Sequence, residues 1–185
     1  MTKMFLVDVE ATGQSSYSGV MTEFGVVELD SGQWFRGQLW DAVPDEKVPA
    51  IPVPVKENIL YTVGKGKQDL ASGVTIQLAT IGELAQAHLD WLNGLSSKAV
   101  FISDNPGYDF ERMNVFFDQA GIKNPYGYSS RRIGDIYSGF VKDLRKSSNW
   151  KKFRKTEHTH EAHYDSMGNR EALLKIIEMM SERNK

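Results

Sequence analysis

Cysteine is absent from the 185 residues, which removes disulfides, thiolate metal sites and cysteine nucleophiles at once. Carboxylates and four histidines remain as candidate ligands and proton carriers. The absence also suits a reducing compartment. Proline is scarce, and four of the six stand close together at Pro44, Pro49, Pro52 and Pro54. No apolar run approaches the roughly 20 residues of a membrane-spanning helix, and the first residues lack a basic stretch followed by an apolar one and a cleavage site. A soluble, cytoplasmic protein with no membrane partner is the expectation.

A surplus of one charge is missing too, since 22 Lys and Arg face 24 Asp and Glu for a net charge of −2. Taken over the whole chain, that balance argues against a polyanionic partner. Divided along the chain, it does not: residues 131–155 hold nine basic residues against two acidic ones, so the remainder is acidic. Such a run reads first as a solvated helix face. Trp150 and Phe153 among Lys151, Lys152, Arg154 and Lys155 shift the reading toward single-stranded nucleic acid, because bases stack on aromatics while cations track phosphates.

What is present fits one domain spanning 1–185, with 41% apolar residues to build a core. Residues 5–13, Phe-Leu-Val-Asp-Val-Glu-Ala-Thr-Gly, run from an apolar strand into two acids and a turn. Residues two apart on a strand share a face, so Asp8 and Glu10 project together and continue the face of Met4 and Leu6. Two solvated acids on a surface strand are the plainer alternative, and only distant partners can decide. Residues 21–29 and 33–40, joined by Asp30-Ser31-Gly32, read as a hairpin. Residues 43–79, rich in proline and glycine and poor in periodicity, read as a long irregular insertion, either a substrate-side flap or a tolerated surface excursion.

Thr80-x-x-Glu83 is a capping box, and the apolar spacing after it predicts a helix that ends at Asn93-Gly94. His88 lies beside its apolar stripe and reads as a packed histidine. Residues 99–103 form a short buried strand, and a helix between such strands implies a crossover in an α/β layered fold. After it, Asp109 stands where a helix N-cap belongs, before a helix that stops at Gly121. Residues 133–144 carry a further helical pattern. The last helix has Asn169, Ala172, Leu173, Ile176 and Met180 on one stripe, and one turn back that stripe reaches Asp165. His158, His160 and His163 lie just upstream.

Asp8 and Glu10 at a strand end, Asp109 at a helix start, and Asp165 on an inward face after a histidine together resemble the DEDDh 3′-to-5′ exonucleases. These are an RNase H-like group that includes proofreading exonucleases and oligoribonuclease. The Asp-x-Glu-x-Thr-Gly motif is matched at residues 8–13, and His-x-Ala-x-x-Asp is matched from His160 to Asp165. The motif His-Asn-x-x-Phe-Asp appears as Asp104-Asn105-Pro106-Gly107-Tyr108-Asp109, with Asp104 in place of the histidine. Asp104 thereby becomes a rival of Asp109.

The resemblance implies an α/β fold with an RNase H-like mixed β-sheet of about five strands, flanked by helices in three α/β/α layers. It implies Asp8, Glu10, Asp109 and Asp165 as ligands of two Mg²⁺ or Mn²⁺ ions, and His160 as general base. Ala11, Thr12, Gly13, Asn105 and Tyr108, with basic Lys151, Lys152 and Arg154, would bind substrate. Carboxylates about 4 Å apart repel by on the order of 4 kcal/mol at an effective dielectric of 20, and oxygen-only ligation favours hard cations. The implied reaction shortens single-stranded DNA or RNA from its 3′ end and releases nucleoside 5′-monophosphates. A non-catalytic nucleic-acid-binding module on the same fold and a structure-specific endonuclease are the alternatives. Oligomeric state is left open, a homodimer among the options.

Overall fold

The computed structural model describes residues 1–39, 59–65 and 73–183. Seven strands form one mixed sheet: β1 (Thr2–Ala11), β2 (Met21–Glu28), β3 (Gln33–Gln38), β4 (Ile59–Lys65), β5 (Val74–Leu78), β6 (Lys98–Ser103) and β7 (Ser130–Arg132). They lie in the order β5-β4-β3-β2-β1-β6-β7. Neighbours from β5 to β1 are antiparallel, whereas β1, β6 and β7 are parallel. The helices are α1 (Ile81–Leu95), α2 (Pro106–Gln119), α3 (Ile133–Val141) and α4 (Ala162–Arg183).

The α/β class and three-layer arrangement agree with the sequence, but the sheet has seven strands where about five were expected. The extra length lies at the antiparallel edge, where β4 and β5 come from the stretch that reads as an irregular insertion. Ile59-Leu60-Tyr61-Thr62-Val63 has strand character, hidden by the prolines and glycines around it. Pairing with β3 supplies what its own periodicity does not signal. Residues 43–58 and 66–72 of that stretch, and Trp40 of the hairpin, lie outside the described residues. The hairpin turns at Gly32, whose φ of +71° favours glycine. Among the described residues no helix is long and apolar enough to cross a membrane.

Alternation along β1 sorts the core into two halves. Phe5, Val7 and Val9 enter one cluster with Leu84 of α1 and Met113, Phe116 and Phe117 of α2. Leu6 points the other way, into a cluster with Ile102, Ile133, Tyr137, Leu173 and Ile176, which seats α3 and α4 on the opposite face. Each such side chain, fully buried, contributes about 1.5–3 kcal/mol. The capping box of α1 forms as written: the Thr80 hydroxyl accepts from the Glu83 N–H, and the Glu83 carboxylate accepts from the Thr80 N–H. His88 is fully buried, with Nε2 2.9 Å from the Tyr126 hydroxyl, and burial drives its pKa down to about 3. It is a neutral core residue.

The two halves meet the candidate site through one close approach. Gly25 of β2 pairs with Asp8 of β1, and a Cβ at Gly25 would stand 2.3 Å from the Ala162 carbonyl and the His163 nitrogen at the start of α4. Ser166 Oγ donates to the Gly25 carbonyl at 2.9 Å, locking α4 down at that point. The bare backbone of Gly25 thus brings α4, and Asp165 with it, down onto the sheet beside Asp8. Gly25→Ala should destabilise the fold by about 1–3 kcal/mol in urea unfolding, as overpacking does. Gly94→Ala, where a Cβ meets none of the described residues within 4 Å, should be neutral or stabilise by under about 1 kcal/mol.

Candidate active site

Period two on β1 and period 3.6 on α4 bring their acids together. Asp8 and Glu10 follow Leu6 on the α4 face of the sheet, and Asp165 lies in the first turn of α4, one turn ahead of buried Asn169. Single carboxylate oxygens of Asp8, Glu10 and Asp165 all lie within 4.8 Å of one another. Asp109 approaches from α2 and raises the pKa of both Asp8 and Glu10. Its position corrects the sequence expectation: Asn105 is the N-cap of α2, with Pro106 as first helical residue, and Asp109 sits inside the first turn. There it is buried, and its Oδ2 accepts the Asn105 N–H at 3.3 Å. Asn105 itself is exposed.

Burial and mutual repulsion leave these groups ill at ease as anions. Asp8 titrates well above the usual carboxylate range, first through burial and then through the charges of Asp109, Asp165 and Glu10, with Arg154 pulling the other way. Glu10 is raised to about 7 by burial and then by Asp165, Glu23 and Asp109. Asp109 reaches about 7 through burial, partly offset by the nearby Ser103 hydroxyl and the hydrogen bond from the Asn105 N–H. Asp165 is buried completely at its side chain, and its Oδ2 has no hydrogen-bond partner among the described residues.

Each of the three histidines has a different setting. His163 is buried on α4 between Trp34 and Tyr164, with Nδ1 4.0 Å from Glu23 Oε1. His160 is the most open, with 75% of its side chain exposed and Nδ1 3.9 Å from Glu10 Oε1. Its φ of +57° turns the chain just before α4. His158 is in direct contact with a carboxylate, with Nδ1 2.8 Å from Asp165 Oδ1, which also accepts the Thr159 N–H at 3.2 Å.

The basic segment divides into buried and open parts. Trp150 is buried against Leu6, Ile133 and Tyr137, which draws the short turn Asn149–Phe153 onto the body of the fold. Arg154 follows it inward: its guanidinium packs over Trp150, donates to Asn169 Oδ1 and lies 3.5 Å from Asp104 Oδ2. Lys151 meets the same Asp104 oxygen at 2.8 Å but keeps half its side chain in solvent. Lys152 is exposed above the Phe153 ring. Asp104 thus anchors two cations.

The turn at Ala11, Thr12 and Gly13 is fixed by residues of α2. Tyr108 donates its hydroxyl to the Ala11 carbonyl at 3.1 Å, and Arg112 donates to the Gly13 carbonyl at 2.9 Å while covering one face of the Tyr108 ring. Gly13 has φ of +71°, and a Cβ there would lie 2.6 Å from the Ser18 carbonyl oxygen. Arg112, Glu23 and the contact of His158 have no clear mark in the sequence taken alone. Arg112 stands four residues after Tyr108, a spacing that puts both on one helix face. Glu23 lies opposite Glu10 in the β1–β2 register, which the hairpin pattern implies once aligned.

The raised carboxyls set a direction for stability. A group whose folded pKa lies above its unfolded value stabilises fully below the unfolded pKa, about 4, and that contribution is lost as pH climbs through the folded value. In chelator, the melting temperature should therefore fall between pH 5 and 8 by at least about 4 °C. Asp8→Asn should flatten the fall and raise the melting temperature at pH 8. An unchanged slope in that variant would contradict the electrostatic account.

No protein-family model and no curated protein matches the sequence. Solved structures do. The nuclease domain of 3′hExo, a DEDDh family member, bound to rAMP, superposes with a TM-score of 0.56 at 14% identity, over 98% of this chain and 92% of that one. A full-length 3′-exonuclease superposes with a TM-score of 0.57 at 14% identity, over 98% and 82% respectively. At that identity the likeness is one of fold, and along nearly its whole length this chain has the fold of DEDDh 3′-exonuclease nuclease domains.

Proposed function

We propose that residues 1–185 form a single exonuclease domain that hydrolyses single-stranded DNA or RNA from the 3′ end and releases nucleoside 5′-monophosphates. The observation that carries this reading is the convergence of Asp8, Glu10 and Asp165, with Asp109 beside them, at the end of a central strand. A protein that only bound nucleic acid would gain nothing from gathering anions where phosphate must lie.

The residues fit divalent ions of the hard class. The donors are all carboxylate oxygens, three of the acids resist ionisation without a counter-charge, and Asp165 Oδ2 is buried without a hydrogen-bond partner among the described residues. Asp8, Glu10, Asp109 and Asp165 would hold two Mg²⁺ or Mn²⁺ ions. When bound, such ions supply Lewis acidity to the phosphoryl oxygens and ease the ionisation of water.

The protein's own groups do the rest. His160, open to solvent and within reach of Glu10, takes the proton of the attacking water. The water oxygen bonds to phosphorus as the bond from phosphorus to the 3′ oxygen breaks, and that oxygen leaves with a proton from solvent. The turn at Ala11, Thr12 and Gly13, held by Tyr108 and Arg112, seats the terminal nucleotide beside exposed Asn105. Lys151 and Lys152 track phosphates further along the strand, while Arg154, buried against Asn169 and Asp104, balances charge near Asp8.

Variants separate these roles. Asp8→Ala and Glu10→Ala should abolish hydrolysis of end-labelled oligonucleotides while leaving far-ultraviolet circular dichroism unchanged. His160→Ala should lower turnover by about 10² to 10⁴ and leave calorimetric Mn²⁺ binding intact. His158→Ala should lose less turnover, and His163→Ala should act through stability, since its ring is packed between aromatics. Near-normal turnover in His160→Ala would move the base elsewhere, and full activity in Asp8→Ala would remove the site.

A further inference from the structure

At the mouth of the acidic cluster a second set of donors has a different chemistry. One ring nitrogen each of His158 and His160 and one oxygen of Asp165 lie within 4.8 Å of one another. The two imidazoles touch, with centroids 4.4 Å apart, and His158 Nδ1 is 2.8 Å from Asp165 Oδ1. We propose that His158, His160 and Asp165 form a binding site for a borderline transition metal of the zinc class, separate in chemistry from the oxygen-only set and sharing only Asp165 with it.

Ligand type separates the two sites. Neutral imidazole nitrogens with one carboxylate suit Zn²⁺ and its neighbours, whereas Mg²⁺ and Mn²⁺ favour oxygen donors. Three protein ligands with a fourth position open to water is a common zinc arrangement.

Geometry and burial support the same choice. Ligands about 2.0–2.1 Å from a tetrahedral zinc stand roughly 3.3 Å from each other, so the His158 and Asp165 pair needs only a small opening. His160 has to close the remaining gap, and it is the ligand best able to do so: its side chain is 75% exposed. Solvent reaches the site through the two histidines, with His158 also 48% exposed, while the buried Asp165 carboxylate already meets His158 through Oδ1.

The shared ligand has a consequence that rests on the proposed exonuclease activity. A zinc-class ion here would occupy Asp165 and the lone pair of His160 together, so it would compete with Mg²⁺ or Mn²⁺ and silence the base in one event. First-row affinities rise from Mn²⁺ to Cu²⁺, with Zn²⁺ above Mn²⁺, so low concentrations of zinc would suffice against a large excess of magnesium.

The test reads the metal and not the reaction. Co²⁺, which reports tetrahedral nitrogen and oxygen ligation through its visible absorption, is added to the purified chain carrying Asp8→Asn and Glu10→Gln, which disable the oxygen-only set. The tetrahedral band should appear, persist in millimolar Mg²⁺ and be displaced by stoichiometric Zn²⁺. Adding His158→Ala or His160→Ala should each weaken Co²⁺ binding at least tenfold. Absence of the band in the Asp8→Asn, Glu10→Gln protein, or undiminished binding once either histidine is removed, would overturn the site. Since no step reads hydrolysis, the band distinguishes failure of the metal site from failure of the exonuclease reading, even in a chain inactive on every nucleic acid.

Discussion

The desolvation and mutual repulsion of clustered carboxylates is the constraint on which the core of this structure depends. Burial and neighbouring charge lift Asp8, Glu10 and Asp109 out of the usual carboxylate range, so the sheet ends in a set of acids that favour a proton or a cation over free anionic form. The fold supports that arrangement from several sides. The missing side chain of Gly25 lets the start of α4 descend onto β2, and Ser166 fixes it there. Arg154, held by Asn169, Asp104 and the Trp150 ring, contributes compensating charge to Asp8. If the cluster serves the proposed activity, local stability is given up for charge that the fold alone would not keep.

The parts of this arrangement that follow a repeat are legible in the sequence. Leu6, Asp8 and Glu10 share a face because strands alternate, and the α4 stripe reaches Asp165 because helices repeat every 3.6 residues. The capping box at Thr80 and Glu83 is a local hydrogen-bond pair, legible in four letters. Where geometry depends on partners, the sequence says less. Asp109 has the look of a cap because Asp caps helices, but Pro106 starts α2 three residues earlier and gives the cap to Asn105. Strand β4 is defined by pairing with β3 and β5 by pairing with β4, and glycine and proline around them mask the signal.

The irregular lead-in to α4 is the least legible region and holds several side chains of the candidate site. No periodicity fixes where His158, His160 or Arg154 point. A charge run reads as a solvated face unless something pulls it inward, and buried Trp150 does so for Arg154. In the same way, spacing to Asp165 marks His160, yet a side-chain contact formed only in three dimensions ties His158 to Asp165. Asp104, which departs from the resembling motif, anchors Lys151 and Arg154, so the substitution reshapes the electrostatics of the basic segment.

If these acids serve phosphodiester hydrolysis from a 3′ end, product analysis on single strands is the most direct test. DNA and RNA oligonucleotides labelled at the 5′ end are incubated with the protein in Mg²⁺, in Mn²⁺ and in chelator, and a 3′-blocked strand runs beside them. The expected result is a ladder of labelled strands shortening from the 3′ end, nucleoside 5′-monophosphates as the released product, and no cleavage in chelator or on the blocked strand. Internal fragments from the blocked strand, or an intact substrate under every metal condition, would contradict it.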